Sequence, residues 1–245
     1  MPAAVTNRHF TGTDSLVDLV KEDFNILPIL SRFSIPLGFG NKTIAEVCGE
    51  AGIDVDIFLL IVNFILTGQI VSETPSDTAA NGIVDFLHNS HDYFLTYKFP
   101  HIRANLLKAL DCHHSDINPA IVRFFDSYID QVRIHFAYEE NTLFPYIRSM
   151  LAGERTDYNI DIFRRHHDEV GEKLSDLKNI ILRYYTTSMP NLMYDVLVDI
   201  FNCEEDLDTH SEIENFILVP MIAELELNNH QPQTAHRHRD RKQPE

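Results

Sequence analysis

The sequence predicts an all-α protein: an antiparallel four-helix bundle preceded by a small N-terminal helical domain. Three observations carry this. Nine glycines are spread through 245 residues, so trains of short alternating segments separated by turns are absent. Four long stretches with helical periodicity, roughly 83–112, 118–151, 159–186 and 190–226, are punctuated by Asn118-Pro119, Gly153 and Met189-Pro190; short connections between long helices favour antiparallel neighbours. Hydrophobic residues make up 44% of the chain, enough for a buried core.

The elements follow in order. Residues 1–12 read as a disordered leader, and 13–70 as a cluster of short helices. Thr43 and Glu46 form a capping-box pattern, in which hydroxyl and carboxylate satisfy each other's orphan backbone N–H groups. Gly52 is placed to end that helix and Asp54 to start the next. The polar, Pro- and Gly-containing stretch within 71–82 reads as a linker, 83–226 as the bundle, and 227–245 as a disordered tail. The tail's histidines are taken as solvated.

Charge and cysteines bound the function. A formal charge of −17 repels phosphate backbones. Thr43 to Leu66 could pass for a helix-turn-helix, but that charge argues against a nucleic-acid partner. The most apolar run, Ile57 to Leu66, is too short to span a bilayer, so no membrane role is expected. Cys48, Cys112 and Cys203 form no CxxC, which suits a reducing, cytoplasmic setting.

The chemistry lies in an internal repeat. His135-xxx-Glu139-xxx-Leu143-x-Pro145 recurs, 75 residues on, as His210-xxx-Glu214-xxx-Leu218-x-Pro220. His91-Asp92 recurs, 76 residues on, as His167-Asp168. The halves read as two copies of a helical hairpin. Residues at i and i+4 share a helix face, so each His points with its Glu, and toward an otherwise apolar side. Buried unpaired carboxylates cost several kcal/mol each, by the usual order of magnitude, and cations are the natural compensation. Four His and two Glu from four helices suit two ions rather than one, and imidazole plus carboxylate suits iron, manganese or zinc. The candidate metal ligands are therefore His91, His135, Glu139, His167, His210 and Glu214, with the two Glu bridging. His88 and His166 rival His91 and His167; the His-Asp repeat selects the latter pair. Glu140 and Glu212 point away from the bridging direction and read as bystanders, as do His113 and His114 at a helix end.

These residues resemble the hemerythrin-like superfamily, and more closely its iron–sulfur cluster repair branch, the repair-of-iron-centres proteins. His135 to Ile147 (HFAYEENTLFPYI), His166 to Leu174 (HHDEVGEKL) and His210 to Ile222 (HSEIENFILVPMI) carry the likeness. The resemblance implies a cofactor of two non-haem iron ions, oxo- or hydroxo-bridged, on the same six residues. It implies a role in repairing iron–sulfur clusters under nitrosative or oxidative stress, with damaged iron–sulfur proteins as partners. The alternative is a protein that binds or senses oxygen or nitric oxide, with no conventional substrate turnover expected. The region around Leu27 to Leu66 also resembles the branch's small first domain. Where that domain carries a two-Cys motif, this chain reads Leu37-Gly38-Phe39-Gly40, without a thiol; Cys48, on the following helix, reads as a core residue.

Overall fold

The computed structural model describes residues 8–70, 76–111, 117–154, 156–166 and 172–230. Among them helix is the only extended element; one isolated bridge joins Ser15 to Thr43.

Four short helices come first: α1 (Leu16–Glu22), α2 (Ile26–Arg32), α3 (Ile44–Ala51) and α4 (Val55–Thr67). Their boundaries follow local chemistry. Glu46 N–H donates to Thr43 Oγ1 at 3.3 Å, and Thr43 N–H donates to the Glu46 carboxylate at 2.8 Å, which closes the capping box. Gly52 ends α3 in the left-handed region with φ 70°, a conformation that suits glycine. Asp54 then caps α4 by accepting from Asp56 N–H at 2.9 Å.

The bundle is built from four rods. The first joins α5 (Asp77–Asp92) to α6 (Phe99–Ala109) through a π-helical turn, Tyr93–Lys98. The second joins α7 (Asn118–Tyr138) to α8 (Phe144–Leu151) through the π turn Glu139–Leu143. The third comprises α9 (Ile160–His166) and α10 (Glu172–Tyr184). The fourth joins α11 (Pro190–Ile213) to α12 (Val219–His230) through the π turn Glu214–Leu218. The early half of each rod packs on the late half of its neighbour: α5 on α8, α6 on α7, α7 on α10, α9 on α12, α6 on α11. That pairing makes the bundle antiparallel.

Three expected boundaries move. The leader does not extend to residue 12: Phe10 is fully buried. Its N–H donates to Asn63 Oδ1 at 2.8 Å, and its carbonyl accepts from Asn63 Nδ2 at 2.9 Å, so this stretch is fastened to α4 like a short strand. The linker ends earlier than 82, because Ser76 accepts from Ala79 N–H at 3.1 Å and starts α5 at Asp77. Gly82 is a contact rather than a breaker, since a Cβ there would lie 2.2 Å from Ile57 Cδ1 of α4. The end of the fourth rod likewise runs past 226, to His230.

The apolar interior falls into two clusters. One gathers α1–α4 with α5, α8, α9, α12 and the end of α11. The other gathers α6, α7, α10 and α11 from Met193 to Leu207. The first cluster thus runs continuously from the small domain into the bundle. A wholly buried Arg32 at the end of α2 adds to the joint. It pairs with Asp206 of α11 and lies 4.7 Å from the Tyr93 ring centroid and 4.9 Å from that of Phe94.

Candidate metal centre

Between the two apolar clusters lies a polar layer. His91 comes from the end of α5, Glu139 and Glu214 from the first positions of two π turns, and His210 from the last turn of α11. One ligand atom from each of these four lies within 4.8 Å of all the others. All are buried: Glu139 and Glu214 are fully covered, His210 is 1% and His91 3% exposed.

Close contacts link the group. His91 Nε2 is 2.9 Å from Glu139 Oε2, and His210 Nε2 is 3.2 Å from Glu214 Oε1. His135 Nε2 approaches the other oxygen of Glu139 at 2.9 Å, and its side chain is 13% exposed. Short as these distances are, His91 Nε2 and both ring nitrogens of His210 make no hydrogen bond among the described residues. Two fully buried carboxylates among imidazoles aligned this way form a donor set that could hold a cation, because buried charges are paired or coordinated. The residues present therefore fit a metal. Nitrogen and oxygen donors of this kind suit iron, manganese or zinc.

Aromatic rings wall the site. His91 stacks on Phe136 at 4.0 Å between centroids and faces Phe144 at 5.5 Å. Phe136 also lies 5.3 Å from His210, and Phe94 meets His210 edge-on at 6.2 Å. Such packing holds the rings in place and keeps the layer dry, where charge interactions are strong.

The outer face of His91 departs from the sequence reading. Its Nδ1 is 2.6 Å from Glu140 Oε1, and His88 Nδ1 is 2.9 Å from each Glu140 oxygen. Burial works to raise the Glu140 carboxyl, but the hydrogen bonds and charges of His91 and His88 outweigh it and hold it below the usual carboxylate range. Glu140 does point away from the bridging direction, as its helix angle requires, but it is no bystander, since the direction it takes leads to the back of a candidate ligand. His88, half-exposed, meets the site through Glu140.

The remaining expected positions fall as follows. His167 lies outside the described residues, as do His113 and His114. Glu212 is exposed. Cys48 is buried, and desolvation with the nearby Asp54 pushes its thiol up to about 11, which leaves almost no thiolate at neutral pH. Sequence reasoning missed Glu140 and Arg32. Arg32 had a signal, being the sole charged residue between Asn25 and Gly40.

Comparison with known proteins adds a relative and a family. Over 189 residues the chain is 21% identical to the "Iron-sulfur cluster repair protein ScdA" of Staphylococcus haemolyticus (strain JCSC1435), a span that covers 73% of this chain and 83% of that protein. No solved structure matches the chain. The family described as "Hemerythrin HHE cation binding domain" matches residues 82–222, which takes in every candidate ligand and more than half of the sequence. A hemerythrin-type bundle with His and Glu from both hairpins buried in one layer is what the fold displays, and the chain belongs to that hemerythrin HHE cation-binding family.

Proposed function

We propose that this protein holds two non-haem iron ions and serves in the repair or maintenance of iron–sulfur clusters damaged by nitric oxide or oxidants. The observation that carries the reading is the burial of Glu139 and Glu214 beside His91 and His210 in one dry layer. The likeness to a protein named for iron–sulfur cluster repair supports the role. In this reading His91, His135, His167 and His210 would each hold one ion, and Glu139 and Glu214 would be shared between the two. A bridging carboxylate sets a negative charge against two cations at once, which four neutral imidazoles cannot do. Bound in this way, a di-iron pair supplies one-electron redox chemistry and an affinity for small diatomic ligands. The chain's own part is to fix the six donors, to exclude bulk water with Phe94, Phe136 and Phe144, and to keep the two carboxylates close.

A second reading is a protein that binds or senses oxygen or nitric oxide. The turn Leu37 to Gly40, which carries no thiol, favours it, because a redox thiol pair is then missing from the first domain. In both readings the protein acts on a small gas molecule or on an iron–sulfur partner, and not on nucleic acid.

Elemental analysis of iron-loaded protein should give two ions per chain, with absorption bands of an oxo-bridged pair. The loaded protein should then restore activity to a [4Fe–4S] dehydratase inactivated by nitric oxide. One ion or none after careful loading would refute the di-iron reading. Two ions without reactivation would remove the repair role and leave the gas-binding one.

A further inference from the structure

The two hairpins repeat in their candidate ligands, but among the described residues the positions that flank those ligands differ. In the first half the residue after the buried Glu139 is Glu140, which meets His91 Nδ1 at 2.6 Å. In the second half the residue after Glu214 is Asn215, exposed and uncharged. The second component differs too. His88, which grips both oxygens of Glu140, corresponds through the 76-residue offset to Arg164, and Arg164 pairs with Asp161 of its own helix at 2.9 Å.

This asymmetry bears on a metal because of imidazole chemistry. A neutral imidazole has one N–H, and the partner of that N–H decides which nitrogen keeps its lone pair. With Nδ1 facing a carboxylate, the proton resides there and Nε2 is left as the donor. His91 Nε2 is the atom aimed at Glu139 and the buried layer. A carboxylate behind an imidazole also makes it a stronger donor. The ring is held besides by its stack on Phe136, so little freedom remains to be lost when a cation binds. Glu140 is not itself a candidate ligand, because the two nitrogens of one ring point in different directions and Glu140 lies on the outer one. His135, the described ligand of the other ion position, shows less enclosure: it is 13% exposed against 3% for His91, and among the described residues the tight four-residue group does not include it.

We propose that Glu140, braced by His88, is a positioning residue that fixes His91 and thereby makes the metal position of His91 and His210 hold its ion more tightly than the position of His135. The inference rests on the two-ion reading above. It makes the two sites unequal by construction, in a protein whose ligand repeat alone would make them alike.

The test is iron release from the full chain. Protein loaded with ferrous iron without oxygen is mixed with excess ferrozine, and the coloured complex is followed with time. Wild type should release two ions in two phases of equal amplitude. His135→Ala should remove the fast phase and keep the slow one, which assigns the phases. Glu140→Ala should speed the slow phase about 10-fold or more, the usual scale for an outer carboxylate, and leave the fast phase alone. Glu140→Gln, whose carbonyl still accepts from Nδ1–H, should fall between wild type and Glu140→Ala, with helicity unchanged by circular dichroism. A single phase for two ions in wild type would overturn the inference while the two-ion reading stands. So would an unchanged slow phase in Glu140→Ala, or a Glu140→Gln rate equal to that of Glu140→Ala. A total of one ion in wild type would instead defeat the two-ion reading itself.

Discussion

Arg32 offers the sharpest stability test, because its guanidinium is fully buried in the joint between the small domain and the bundle. Its one anionic partner among the described residues is Asp206, whose side chain is 16% exposed. Among the described residues, Nε and Nη1 of Arg32 make no hydrogen bond. Asp206→Ala would therefore leave a cation in the interior with only the faces of Tyr93 and Phe94 to meet it. Such faces contribute about 0.5–2 kcal/mol each, and a guanidinium cannot escape by losing its proton. Breaking one side of a buried pair costs about 3–5 kcal/mol, and this geometry belongs in that range. Arg32→Met is different. It removes the cation, fills much of the same space, and leaves Asp206 enough exposure to take up water. It should cost about 1–2 kcal/mol, mainly the lost cation–π contacts. The double variant should be no less stable than Arg32→Met, since neither charge remains to be compensated. Urea unfolding of metal-free protein, followed by circular dichroism, gives all three values, and an unchanged slope shows that the same surface unfolds. The reasoning is refuted if Arg32→Met proves as damaging as Asp206→Ala, or if Asp206→Ala costs under about 1 kcal/mol, less than any broken buried pair should.

Two further predictions concern contacts made by α4. Gly82→Ala would set a Cβ 2.2 Å from Ile57 Cδ1 and within 3.3 Å of its Cγ2; the displaced branched side chain should cost about 1–3 kcal/mol, more than the roughly 1 kcal/mol gained in helix propensity, and trimming Ile57 to Val should recover part of the loss in urea melts. Asn63→Leu would strip both backbone partners from the buried Phe10, at about 1–3 kcal/mol for each group left unsatisfied, and limited proteolysis should then cut near Phe10 at a protease concentration that leaves wild type intact.

How much of this could be read in the sequence depended on the range of the interaction. The Thr43–Glu46 box, Gly52 and Asp54 act within a few residues, and the helix boundaries around them emerge as expected. The four rods were legible because their apolar periods are long, and the gathering of His91, Glu139, His210 and Glu214 because the same spacing occurs twice. What escaped is set by distant partners. Phe10 sits in a polar stretch with no period, and only Asn63, 53 residues away, reveals it as core. Gly82 looked like a linker residue because the side chain that fills its missing Cβ belongs to another helix. Glu140 looked like a bystander because a helical wheel gives its direction and not what waits there, and His88 comes from a different rod.

The π turns explain why the repeated motif ends in proline. In each, the residue just before a proline donates its N–H five residues back: Phe144 to the carbonyl of Glu139, Val219 to that of Glu214, and Phe99 to that of Phe94. Pro145, Pro220 and Pro100 follow at once. A proline cannot supply the next N–H, and its ring crowds the carbonyl four residues earlier. Widening the turn by one residue relieves the crowding without ending the rod. The consequence for the site is positional. His135 and Glu139, or His210 and Glu214, remain in ordinary α register and share one face, while the helix leaves that register at the glutamate itself. The glutamate carbonyl takes the wide bond, and its carboxylate faces the buried layer. The six-residue distance from Glu to Pro thus determines where the rod widens, as the four-residue distance from His to Glu determines which way the donors face. Both distances recur in the second half, so the halves match in a backbone hydrogen bond as well as in side chains.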